Sequence, residues 1–174
     1  VQCYNGTTWS EDFTVAVGGT GTTRRFDIGF EKTTGDSMIV YSTNTTTTNE
    51  LAYRTKAGSS GCGAANWSAA TNLNPVRTSG RVHWVRLESD PRSGQNILGL
   101  AWADEQSDLS AMFWDGTTWV NEPTAVSETS LDIIAVGQDV ETFDISYETL
   151  SGNLMMIWGR TVDDNANGVR YRRC

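Results

Sequence analysis

The chain has 174 residues, enough for one well-cored domain and few for two. Its formal charge of −8 argues against nucleic-acid binding, which needs a basic surface to neutralise phosphate. It holds no run of about eighteen apolar residues, so no membrane-spanning helix is encoded and membrane insertion is not expected. Thr, Ser, Asn and Gly are abundant and Lys is scarce, a composition that favours strands and turns over helices.

In chain order, Val1-Gln2-Cys3-Tyr4 shows no charged region followed by an apolar stretch, which predicts a mature product or an excised segment. Asn5-Gly6-Thr7-Thr8-Trp9 predicts a type I′ hairpin turn, with both central residues at positive φ, and Trp9 opening the first strand of the following unit. Phe26-Asp27-Ile28-Gly29-Phe30-Glu31 alternates as a half-buried strand and ends on a glutamate. Thr34-Gly35-Asp36 then turns into Met38-Ile39-Val40-Tyr41, an apolar run expected to be covered on both faces. Leu51-Ala52-Tyr53-Arg54 is a fourth strand. Ala64 to Leu73 resembles a helix only superficially, because its Trp67 aligns with Trp9.

The same sequence of segments recurs twice. His83-Trp84-Val85-Arg86-Leu87-Glu88 and Phe143-Asp144-Ile145-Ser146-Tyr147-Glu148 repeat the Phe26 strand. Ser93-Gly94-Gln95 and Ser151-Gly152-Asn153 repeat the turn. Ile97 to Trp102 and Leu154 to Trp158 repeat the apolar run, and Leu109 to Phe113 and Val169 to Arg172 repeat the last strand. Asp115-Gly116-Thr117-Thr118-Trp119 nearly duplicates the Asn5 turn, with Asn66-Trp67-Ser68 a degenerate form. Glu31, Glu88 and Glu148 are spaced by about 57 and about 60 residues. The chain is therefore expected to be all-β, one domain of three tandem four-stranded antiparallel sheets. The repeats span about 9–62, 63–119 and 120–174, and 1–8 is a spare strand of a preceding repeat.

Such a four-stranded unit with a Trp at its boundary resembles a β-propeller blade. Tandem copies resemble the repeats of large bacterial surface and secreted proteins. The resemblance covers the chain at the level of architecture and implies an extracellular scaffold or adhesion module without catalysis. Propellers close with about four blades or more, so three units suggest either a three-sheet β-prism or an open stack that meets another copy.

The stack reading predicts self-association through terminal strands. Val1, Gln2 and Tyr4 align with the last strand of a preceding unit, and Val169, Tyr171 and Arg173 with the last strand of their own. These strands either fold back beside one another or add to a neighbouring molecule. Arg170, Arg172 and Arg173 crowd one end while Glu11 and Asp12 lie near the other, a polarity suited to head-to-tail contact; protection of an edge strand is the alternative. Cys3 and Cys174 sit where a disulfide would clasp the ends in an oxidising compartment. Three free thiols are the other reading, since three cysteines leave at least one unpartnered within the chain.

Asp163, Asn165 and Asn167 match the first half of a calcium loop, D-x-N-x-N-G, and are the candidate Ca²⁺ ligands. The position for a bidentate glutamate is Cys174, however, and a polar hairpin loop is the plainer reading. No other cofactor is expected. The stretch from Asp163 to Tyr171 resembles the mannose motif QxDxNxVxY of monocot lectins, with Asp163 for Gln and Asn165 for Asp. Asp115 to Trp119 resembles the Asp-box turn of sialidases in compressed form. Glu31, Glu88 and Glu148 occupy one place in the repeat, so they are expected to anchor turns rather than form an acid pair. His83, aligned with Phe26 and Phe143, is expected in the core, and no nucleophile elbow accompanies it. The function expected is a non-enzymatic extracellular structural module whose partners are copies of itself, such as a surface-filament subunit. A carbohydrate-binding adhesin with glycan partners and a sialidase-like glycoside hydrolase are the alternatives.

Overall fold

The computed structural model describes residues 1–18, 23–73, 80–120, 128, 141–160 and 168–174, and it is all-β. Strands β1 (Gln2–Tyr4) and β2 (Trp9–Glu11) form a two-stranded hairpin. Sheet I joins β3 (Phe26–Phe30), β4 (Ser37–Ser42), β5 (Leu51–Lys56) and β6 (Thr71–Leu73) in that order. Sheet II joins β7 (Val82–Ser89), β8 (Leu98–Asp104), β9 (Leu109–Trp114) and β10 (Trp119–Val120). Sheet III joins β11 (Phe143–Tyr147), β12 (Leu154–Gly159) and β13 (Val169–Arg173), three strands among the described residues. Each of these pairings is antiparallel between chain neighbours, and the short polar turns from β3 to β4, β7 to β8, β9 to β10 and β11 to β12 permit only that connection. Among the described residues no sheet closes into a barrel.

The frame of each sheet differs from the expected one. Trp119 pairs with Trp114, Trp67 bridges Lys56, and Trp9 pairs with Tyr4. Trp67 only bridges back to β5, ahead of β6, whereas each of the other two Trp residues begins the last strand of the sheet before it, not the first strand of the next unit. A four-residue loop holds it there by a device other than the expected type I′ turn. Only Gly116 takes positive φ, at 97°, while the Asp115 carboxylate accepts the N–H groups of Thr117 and Thr118, each at 2.8 Å. Asn5 does the same for Thr7 and Thr8 at 2.9 Å. A side-chain oxygen that caps two amides replaces the second left-handed residue.

Strand pairing also corrects the alignment of the repeats. Phe30 faces Ser37, Ser89 faces Leu98, and Tyr147 faces Leu154, so Glu31, Asp90 and Glu148 are equivalent. Glu88 and His83 fall two positions out, and Val85 stands where Phe26 and Phe143 stand. The cause is loop length. Hairpins closed by Glu31–Asp36 and Glu148–Asn153 correspond to a longer one closed by Asp90 and Ile97.

The sheets stack face to face in chain order, β3 against β7 and β7 against β11. Met38, Val40 and Leu51 of sheet I meet Val85, Leu87, Leu98, Leu100 and Trp102 of sheet II in one core. Ala101, Ala103 and Ala111 on the other face of sheet II meet Ile145, Leu154, Met156 and Trp158 of sheet III in a second. Gly99 completes that flat face, since a Cβ there would stand 2.9 Å from Leu154 Cδ2. Sheet II is therefore covered on both sides, and β8 is buried along its length. Three prism walls around one shared core would leave each sheet's outer face wet, so the prism expectation is not met.

A third core lies on the far side of sheet I, where Ile39, Tyr41, Ala52 and Trp67 pack against Val1, Phe13, Val15 and Val17. That cover reaches only half of the sheet. On β3 the expected alternation is present but inverted: Asp27 and Gly29 are buried against sheet II, while Phe26 and Phe30 are 51 % and 52 % exposed. Likewise β12 is covered on one face only, unlike its equivalents β4 and β8.

Candidate functional site

The repeated carboxylates serve the fold. Glu31 Oε2 accepts from Thr34 Oγ1 at 2.6 Å within its own turn, and its Oε1 accepts from the Trp114 indole of sheet II at 2.7 Å. Glu148 accepts from the amides of Leu150 and Ser151, and the Ser151 side chain first, then these amides, hold its carboxyl below the usual range. Asp90, fully buried, pairs with Arg92 at 2.6 Å, and that guanidinium lowers its pKa. Arg92 also donates to the Ser151 carbonyl of sheet III at 2.7 Å. Turn anchoring holds for Glu31 and Glu148, and Asp90 takes the role expected of Glu88. Each charge thus fixes a turn or bridges two sheets.

The N-terminal segment is fastened in the same way. Asp12 Oδ2 accepts from the buried Trp67 indole at 2.8 Å, and Oδ1 accepts from Gly63 N at 2.9 Å. Asp12 is consequently not part of an acidic surface, and Glu11 alone of that expected pair is exposed. A disulfide joins Cys3 to Cys62, with Cα atoms 5.5 Å apart, and Cys174 is an exposed free thiol. The Cys3–Cys174 clasp is corrected accordingly. β1 lies on sheet I, which brings Cys3 beside the loop that follows β5, whereas Cys174 ends the ladder of sheet III.

The expected assembly strands occupy opposite ends of the stack and do not pair with each other. Leu154 and Cys174 exchange both backbone bonds, so the alternation of the ladder directs the amides and carbonyls of Val169, Tyr171 and Arg173 to the outer edge of β13. Among the described residues no strand lies along that edge, although the equivalent strands β5 and β9 are flanked by β6 and β10. In β1, Asp12 N donates to Val1 O and Asn5 N to Thr8 O, which turns the polar backbone of Gln2 and Tyr4 outward. That edge, too, has no described neighbour.

Two apolar faces accompany the two edges. On sheet III, Met155, Ile157 and Tyr171 line a groove of about 360 Å³ with Asp144, Ile145 and Ser146. Ile157 is 48 %, Val169 67 % and Tyr171 73 % exposed. At the other end a groove of about 440 Å³ runs between sheet I and the hairpin, lined by Ile28, Phe30, Tyr4, Trp9, Lys56 and Trp67 among others. Sequence reasoning named the edge residues but missed Met155, Ile157 and Ile28. The signal was present: in the corrected register Met155, Ile157 and Tyr171 match Met38, Val40 and Tyr53, residues buried in or packed against the first core.

The candidate calcium ligands Asp163, Asn165 and Asn167 lie outside the described residues. Asp115, in the stretch that resembles an Asp box, is held below the usual carboxylate range by the hydrogen bond from Thr118 N, then by those from Thr117. Its charge is committed to its own turn. Compared with known proteins, the chain matches no protein-family model and no curated protein sequence.

Proposed function

We propose that the protein is a non-enzymatic, extracellular structural module of blade-like sheets, which associates with copies of itself through its terminal strands, as a subunit of a filament or repeat assembly. The observation that carries this reading is the outer edge of β13, unpaired among the described residues, where Val169, Tyr171 and Arg173 offer a row of backbone donors and acceptors. Such a row templates the addition of another strand. The Cys3–Cys62 disulfide suits an oxidising, extracellular setting. The test is analytical ultracentrifugation of the intact chain beside Val169→Pro. Proline there removes an outward amide and spares the β12 ladder. Concentration-dependent association that the substitution weakens supports the reading; a wild-type monomer at every concentration refutes it.

A carbohydrate-binding module is the second reading, favoured by the exposed rings of Tyr4, Trp9 and Phe30 around the larger groove. Aromatic faces stack on sugar rings, and Lys56 and Gln2 would supply polar contacts. Specific glycan capture that Trp9→Ala abolishes would favour it over assembly.

A further inference from the structure

We infer that the acceptor for β13 is the groove beside β1 on a second copy of this chain, so that the open face of sheet III covers Phe26, Ile28 and Phe30 of the neighbour, head to tail. The inference rests on the self-association proposed above and adds the partner surface and the polarity.

Register identifies the two faces. Within the chain, one kind of sheet face always meets the next sheet. On sheet I it is Met38, Val40, Leu51 and Tyr53, and on sheet II it is Gly99, Ala101, Leu109 and Ala111. The same positions on sheet III are Met155, Ile157, Val169 and Tyr171. Val40 and Leu51 are fully buried, at 0 % exposure, whereas Ile157 and Val169 stand open. The opposite kind of face receives it. On sheet II this is Val85 and Leu87, and on sheet III it is Phe143 and Ile145. The equivalent residues of sheet I are Phe26 and Ile28, and they are uncovered. Among the described residues the chain thus carries an unfilled knob face at one end and an unfilled hole face at the other, both of the kinds that it already joins twice internally.

The backbone agrees with the side chains. The hairpin β1–β2 corresponds to the last two strands of a sheet, because its Trp9–Tyr4 pair matches Trp119–Trp114. Val1 and Phe13, Val15 and Val17, on either side of this hairpin, cover Ile39 and Tyr41 of sheet I, while β1, whose Gln2 and Tyr4 present outward polar backbone, lines the groove beside Ile28 and Phe30. A strand laid against that edge lies over Phe26, Ile28 and Phe30. β13 brings an open edge of its own and, on the correct side, Val169 and Tyr171. One docking step therefore continues a sheet and closes a core together. The two surfaces differ, so the contact is heterologous and propagates unless the rotation closes a ring.

The experiment is a charge-pair exchange followed by sedimentation and negative-stain imaging. Ile157→Glu puts a charge in the donor face and Ile28→Lys puts one in the acceptor, both at positions exposed in the single chain. Each alone is expected to weaken self-association by about tenfold or more, because an unpaired charge would be buried. An equimolar mixture is expected to reassociate, since the carboxylate introduced in one variant then meets the ammonium introduced in the other. Tyr171→Glu with Phe30→Lys repeats the test at neighbouring positions. If Val169→Pro dissociates the protein but the charge variants do not, strand addition stands and this acceptor is wrong. Loss of association in only one variant, or failure of the mixture to recover it, overturns the inference as well. A wild-type monomer removes both the inference and the reading beneath it.

Discussion

Removing the disulfide tests how the N-terminal segment is held. Cys3 and Cys62 are 59 residues apart, so the bond closes a long loop in the unfolded chain. The loss of loop-closure entropy in the denatured state gives about 4 kcal/mol for a ring of this size. For a chain of this length each kcal/mol moves the melting temperature by roughly 2–4 °C, which makes the expected drop roughly 8–16 °C. The double variant Cys3→Ser/Cys62→Ser should show it in urea and thermal unfolding. It should retain the contacts of Phe13 and Asp12 with Trp67 in the folded state. Amide exchange of β1 and β2 would locate the loss. A midpoint within about 1 kcal/mol of wild type, with the hairpin equally protected, would falsify this assignment of the tether's energy.

Two further substitutions probe the interior. Glu50 is fully buried, and among the described residues neither carboxylate oxygen has a hydrogen-bond partner; burial raises its pKa above the usual 4.5. The folded state then holds the proton more tightly than the unfolded one. Stability is greatest below the unfolded pKa and declines as pH rises through the folded one. Glu50→Gln is expected to remove that decline and to raise stability at neutral pH by about 1 kcal/mol or more; an unchanged pH profile of urea midpoints would count against it. Gly99→Ala places a Cβ 2.9 Å from Leu154 Cδ2 and 3.2 Å from the Tyr147 hydroxyl. Overpacking of the second core should cost about 1–3 kcal/mol, and a neutral result would show that sheet III slides freely on sheet II.

Much of the secondary structure was legible. Alternation marks β3 and β11, continuous apolar runs mark β4, β8 and β12, and Asn5-Gly6 and Asp115-Gly116 mark the turns before Trp9 and Trp119. The repeat itself was legible because each unit must bury the same strand positions. Register was not. Glu31, Glu88 and Glu148 align by letter, yet the longer hairpin of sheet II gives Asp90 the structural place. Loop length is fixed by how a turn closes, and an extra pair of polar residues leaves no mark on the apolar pattern. The disulfide was hidden for a similar reason. Sequence distance made Cys174 as suitable a partner for Cys3 as Cys62, and only the seating of β1 on sheet I separates them.

Local chemistry by itself therefore determined that this protein is a set of antiparallel strands in three recurring groups, since strand period and turn residues act over a few bonds. The tertiary structure decided which strand joins which sheet, which cysteines meet, and which faces stay open. Equivalent apolar residues are buried as Val40 and exposed as Ile157 because one sheet has a neighbour on that side and, among the described residues, the other does not. Burial is a property of the partner surface, and no residue carries that information within itself.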